Sequence, residues 1–195
     1  TGRIWIKTAR SVQSRCFTLP VFAQWRKSAN RFGKDGSVYR AEYEKLTAVI
    51  EKFFWDEEKG AYIDSFTSGR RNVTRHANIF AILFSVADEK KQEKILKNVL
   101  ENDEIPAITT PYFNFFELDV LCRMGKLTEV LDKIRSYWGG MLDLGAVTFW
   151  EEYDPSVPKE EQYDMYGDHF GKSLCHAWAA SPIYFWQNTL PDWIL

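Results

Sequence analysis

The stretch Tyr43-Glu44-Lys45-Leu46-Thr47-Ala48-Val49-Ile50-Glu51-Lys52-Phe53-Phe54 decides the fold class. Its apolar residues Tyr43, Leu46, Val49, Ile50, Phe53 and Phe54 fall three and four positions apart with charged residues between them. That is the period of an amphipathic helix, not the two-residue period of a strand. The charged turn Asp56-Glu57-Glu58-Lys59-Gly60 ends it.

Outward from this helix the pattern recurs. After Tyr62-Ile63-Asp64 and a polar loop through Arg71, residues His76 to Ala87 are apolar on nearly every side, as suits a buried inner helix. Asp88 is placed to cap the next helix, where Ile95, Leu96, Val99 and Leu100 interleave with lysines as on a one-sided outer helix. The pair then repeats. Thr110 as N-cap and Pro111 at the first position open an apolar helix to about Met124, with Gly125 as its C-terminal stop. Leu127 to Trp138 is amphipathic, and Gly139-Gly140 is expected to end it. A last helix is expected from Lys172 to Asn188, kinked or interrupted at Pro182. No run of alternating β-branched residues is bounded by hairpin turns. The expected class is all-α, with inner helices wrapped by outer ones.

The chain's 195 residues, 45% of them hydrophobic, suffice for a sizeable core. A net charge of -2 and the absence of a long apolar run give no case for nucleic acid or a membrane as partner. Charge is nevertheless uneven: residues 1–40 are net +8 and the remainder -10. Residues 1–38 read as an irregular basic lead-in with room for one helix around Val12 to Arg26, and 39–195 as the helical domain. A basic arm for an anionic partner is the other reading of the lead-in. Cys16, Cys122 and Cys175 are isolated and odd in number, so buried free thiols are expected. With His76, His169 and His176 they make no zinc-ligand spacing, and neither a metal nor a cofactor is expected.

Chemistry concentrates between Gly139 and Gly171, a stretch without periodicity that holds Glu151, Glu152, Asp154, Asp164 and Asp168 among Phe149, Trp150, Tyr153, Tyr163 and Tyr166. A long loop inside a helical domain calls for a reason. A carboxylate flanked by rings has the make-up of glycoside hydrolysis: a shielded base for water and an apolar wall for a sugar. A solvated acidic loop pinned by its aromatics has the same composition, and composition leaves both open. The second constellation is Ser173-Leu174-Cys175-His176-Ala177-Trp178. Here His176, read as lying near the start of the last helix, is either a hydrogen-bonded core residue or a ligand contact. Cys175 beside it makes no nucleophilic dyad, because helix neighbours point about 100° apart.

These segments carry a resemblance. Thr148-Phe149-Trp150-Glu151, then Ser173-Leu174-Cys175-His176-Ala177-Trp178 with Ser181-Pro182 and Tyr184-Phe185, is similar to the paired signature of bacterial α-L-rhamnosidases, glycoside hydrolase family seventy-eight. Arg75-His76-Ala77-Asn78, and Thr110-Pro111-Tyr112-Phe113 with Glu117, fall in that family's order. The resemblance implies a six-hairpin (α/α)6 toroid that removes terminal α-L-rhamnosyl residues with inversion. It implies Glu151 as general base, with Glu152 the alternative if the register slips. It places His176 against a sugar hydroxyl, Trp150 as a wall of the pocket and Phe113 among the substrate-binding residues. One part has no counterpart. The family's general acid lies in an earlier acidic stretch, whereas residues 1–35 hold only Asp35. Six or seven helices also make about half of a twelve-helix barrel. The chain is therefore expected to be a fragment that lacks the N-terminal half of its barrel, is inactive alone and self-associates through uncovered apolar surface. A non-catalytic helical interaction module and another (α/α)6 glycosidase are the rival readings.

Overall fold

The computed structural model describes residues 11–189, so the first ten residues of the expected lead-in lie outside it. The chain forms two compact units, divided between Ala107 and Ile108.

In the first unit, α1 (Val12–Arg31) covers the helix expected around Val12 to Arg26 and runs further, with Pro20 inside it. Val12, Cys16 and Leu19, spaced four and three apart, are fully buried. Helix α1 packs on α2 (Ser37–Phe54) and on α3 (Arg75–Leu83). Leu46, Ile50 and Phe54 form the buried line of α2. Phe53, expected in the same stripe, is instead 43% exposed and stacks on Phe66 at the margin of the core.

The charged turn after α2 is the loop of a short antiparallel hairpin, β1 (Trp55–Asp56) with β2 (Ala61–Tyr62). These strands had no signal in the sequence, because two residues are too few to alternate. Asp56 organises the turn. Its carboxylate accepts from the amides of Glu58 and Lys59 and from the guanidinium of Arg71.

Helix α3 begins at Thr74, whose hydroxyl accepts from the Ala77 amide, as an N-cap should. It stops at Leu83, short of the expected Ala87. Ser85 takes a left-handed φ of 57°, and the amides of Val86 and Ala87 fold back onto the Ala81 carbonyl. Asp88 caps α4 (Glu89–Ile95), which continues as a π-helical turn, Leu96–Leu100. Buried Arg75 donates to the carbonyls of Leu100 (2.8 Å), Asn102 (3.3 Å) and Ile105 (3.4 Å), tying the chain after α4 to the start of α3.

In the second unit, α5 (Pro111–Arg123) packs on α6 (Leu127–Asp143) and α7 (Ser181–Asn188). Gly125, with φ +72°, turns the chain between α5 and α6. Gly139-Gly140, expected to end α6, lies inside it. Gly140 serves close approach instead: the ring of Tyr153 occupies the space a Cβ would need, with Cε1 and Cζ 2.7 Å from that point. The expected helix from Lys172 is also absent over its first part. Residues Ala177–Ala179 form one 3-10 turn, and the regular helix starts at Ser181. Pro182 sits in its first turn, where a missing amide hydrogen costs nothing, and so begins the helix that it was expected to kink.

Helices α3 and α5 share a device. Asn78 and Asn114 stand four residues after Thr74 and Thr110, and each donates to that threonine's carbonyl. Each also reaches the preceding loop: Asn78 pairs with both the amide and the carbonyl of Tyr62, and Asn114 donates to the Ile108 carbonyl. Fully buried amides thus fix where the loops before both helices run.

Candidate active site

The loop between α6 and α7 is built on backbone pairing between two segments that lie far apart in sequence. The amide of Glu151 donates to the Ser173 carbonyl (2.9 Å), and that of His176 donates to the Phe149 carbonyl (2.8 Å). The Thr148 hydroxyl donates to the Leu174 carbonyl. On the other side of the loop, the Tyr153 amide donates to the Thr109 carbonyl (3.0 Å) just before α5. The chain around Glu151 is therefore held at both edges, although it belongs to no helix or strand.

That scaffold buries Glu151 to 7% exposure. Its Oε2 accepts from the Ser173 amide (3.1 Å) and lies 3.8 Å from His176 Nδ1, and its Oε1 accepts from the Tyr166 hydroxyl (2.9 Å). Burial pushes the carboxyl up in pKa. The Ser173 amide, the Tyr166 hydroxyl and the charges of His176 and Lys172 together outweigh that, holding it below the ordinary carboxylate range. Glu151 is thus a nearly buried yet ionised carboxylate.

Glu152 faces elsewhere. It accepts from the Thr109 hydroxyl (2.7 Å) and lies 4.0 Å from the ammonium of Lys172. The Lys172 side chain is itself only 4% exposed. Burial pulls its pKa down against the upward pull of Glu152, Asp154, Asp164 and Glu151. A buried cation whose charge acts on two neighbouring glutamates offsets their mutual repulsion.

Of the residues singled out from the sequence, Glu151 and His176 come together. Trp150, next to Glu151, is likewise buried at 3%, its ring edge-on to Tyr163. Phe113 is half-buried in the first turn of α5 beside Tyr112 and Phe116. Its link to His176 runs through other rings: Tyr112 contacts Trp178, and Trp178 lies over His176 with centroids 4.0 Å apart. Trp178 and Tyr112 are 48% and 42% exposed, so the open rings that lead to His176 are theirs, while the exposed ring at Glu151 itself is that of Tyr166. His176, expected near a helix start, is in extended backbone ahead of the 3-10 turn. The sequence presents Tyr166 only among the rings of the loop and Lys172 only as the start of the last helix, neither with a role at the site. A lysine among acids reads as solvated, and a tyrosine-glycine pair lacks the Asn-Gly signature of a tight turn. Among the described residues no group of His, Cys, Asp or Glu is placed to hold a metal, and no helix is long and apolar enough to cross a membrane.

A nearly buried carboxylate beside a histidine and aromatic rings, on a scaffold of helical hairpins, has the make-up that glycoside hydrolysis calls for. Residues 5–190 match the family described as the bacterial alpha-L-rhamnosidase 6 hairpin glycosidase domain, and the chain belongs to that family. Its six-hairpin, all-α class is the one expected from the sequence. Among solved structures it is similar to a rhamnosidase from Klebsiella oxytoca with rhamnose bound, at 27% identity and a TM-score of 0.78, covering 94% of this chain and 34% of that one. It is also similar to the GH78 family rhamnosidase of Bacillus sp. GL1, at 26% identity and a TM-score of 0.74, covering 91% of this chain and 19% of that one. The chain thus spans about a third and about a fifth of these two relatives. No curated protein matches it.

Proposed function

We propose that this chain carries the water-activating half of an inverting α-L-rhamnosidase site, with Glu151 as general base. The observation that carries this reading is the state of Glu151: ionised, nearly buried, and beside His176 and the exposed ring of Trp178. A general base must be unprotonated to accept a proton, and Glu151 meets that requirement at neutral pH. In the reaction, water attacks the anomeric carbon of a terminal α-L-rhamnosyl residue and its proton passes to Glu151. The bond to the aglycone oxygen breaks, and that oxygen takes a proton from a general acid about 6.5–9.5 Å away. His176 donates to a sugar hydroxyl, and Trp178 and Tyr112 offer ring faces to the apolar side of the sugar. Trp150 supports the loop from beneath and Phe113 supports Tyr112.

The general acid is the missing element. Residues 1–35 hold one acid, and Glu152 is engaged by Thr109 and Lys172. The isolated chain is expected to bind L-rhamnose weakly and to turn over no chromogenic aryl α-L-rhamnoside. Saturation-transfer NMR with L-rhamnose should show contact that His176→Ala weakens. Absence of contact would overturn the site reading. Turnover by this chain, abolished by Glu151→Gln, would keep the base and overturn the missing acid.

Exposed Trp25 and Phe32 in the first unit, and Ile183 and Trp186 in the second, support self-association. Light scattering across a wide concentration range tests it, and a monomer throughout would refute it.

A further inference from the structure

Tyr166 stands where neither burial nor turn chemistry calls for a tyrosine. It is 80% exposed, and its φ of 56° is left-handed. With Gly167 at φ 84° it forms the two-residue tip of a tight hairpin, in which Met165 and Asp168 exchange both backbone hydrogen bonds at 3.0 Å. Glycine or asparagine suits such a position, because a β-carbon is strained there. The ring gains nothing by burial that would offset the strain. What it does have is a hydroxyl 2.9 Å from Glu151 Oε1.

We propose that Tyr166 is a positioning residue for the Glu151 carboxylate, its hydroxyl fixing the rotation of the group from the solvent side. The Ser173 amide holds Oε2 from the opposite end of the loop, so the carboxylate is gripped at both oxygens. A carboxylate offers roughly four acceptor sites, and these two bonds leave capacity for a water on each oxygen. The hairpin does not depend on the tyrosine side chain for its shape. Gly171 donates to the Asp168 carbonyl and has no β-carbon to block the Met165 carbonyl, and His169 meets Asp164 at 2.5 Å. Strain at the tip of a braced turn is how a protein holds one side chain at one point.

This inference rests on the reading of Glu151 as the base, but it is tested without a sugar. Around Glu151 stand His176 at 3.8 Å and the charge of Lys172, while Glu152 acts on Tyr166 and both Asp154 and Asp164 act on Lys172. The experiment is a carbon-13 titration of glutamate side-chain carboxyls in the full chain, with Glu151→Gln assigning the resonance. Tyr166→Phe and Tyr166→Gly should each raise the Glu151 pKa, because each removes a donor that favours the charged form. The amide shifts of Ser173 and His176 should stay in place in Tyr166→Phe. An unchanged Glu151 titration in Tyr166→Phe would overturn the proposal. So would a rise confined to Tyr166→Gly, since the ring's cover and not its hydroxyl would then be responsible. Loss of L-rhamnose contact with the titration as expected would instead count against the rhamnosidase reading and leave Tyr166 in its role.

Discussion

Adjacent glycines in α6 should respond to the same substitution with opposite signs. At Gly139 a new Cβ meets nothing within 4 Å, so Gly139→Ala gains only from helix propensity and a less flexible unfolded chain, about 0.5–1 kcal/mol. At Gly140 the same gain is set against the Tyr153 ring, with Cε1 and Cζ 2.7 Å from where the Cβ would sit. Tyr153 cannot simply swing away: it is 8% exposed, its ring meets Tyr137 at 5.6 Å, and its amide is bonded to the Thr109 carbonyl. Overpacking of this kind costs about 1–3 kcal/mol, so Gly140→Ala should lose on the order of 1 kcal/mol net. Urea unfolding followed by circular dichroism measures both variants. With a slope of about 1–3 kcal/mol per molar, the two midpoints should separate by roughly half a molar or more, on either side of the parent protein. A Gly140→Ala variant as stable as Gly139→Ala would refute the account of Gly140 as a seat for Tyr153.

Other outcomes follow from the same geometry. Because the Glu151 carboxyl is held below its ordinary range, its contribution to stability is fully present above the unfolded value of about 4.3 and is lost as pH falls through the lower folded value. The stability gap between the parent protein and Glu151→Gln, followed by thermal melts, should therefore be constant near neutrality and narrow in acid; a gap that widens there would contradict the assignment. Arg75→Lys keeps the charge but loses the fork that reaches three carbonyls, which should cost on the order of 2 kcal/mol and speed amide exchange between Leu100 and Ile105. Thiol titration of the native chain should modify exposed Cys175 first. Fully buried Cys16, its thiol pushed up by burial to about 12, should react only on unfolding, and Cys175→Ser should remove the fast phase.

Much of this was legible in the sequence because it rests on local physics. The Leu46, Ile50 and Phe54 line of α2, the Asp88 cap and the helix start at Pro111 are each decided by a few neighbouring residues, and each appears in the structure, although Phe53 leaves the stripe and Thr110 makes no side-chain cap bond. The misreadings occur where a distant partner decides. Gly139-Gly140 has the composition of a helix stop, and only Tyr153, thirteen positions beyond Gly140, shows that a glycine stands there inside a helix to admit a ring. Lys172 to Ala180 has helix-compatible residues, yet pairing with Phe149 and Glu151 keeps its first part extended. At the site, Glu151 and His176 could be named from their motifs. The burial of Trp150 and the reach of Tyr166 could not, because both depend on how the intervening loop folds back.

The pairing of Phe149 and Glu151 with His176 and Ser173 has a consequence for how such a site changes over time. The carboxylate and its histidine are anchored by main-chain bonds that do not depend on side-chain identity, so the residues between Tyr153 and Lys172 form a visor hung from fixed ends. Substitution or resizing within it can redraw what passes in front of the carboxylate while leaving the backbone that carries the carboxylate where it is. The contact that such remodelling puts at stake is the one from Tyr166.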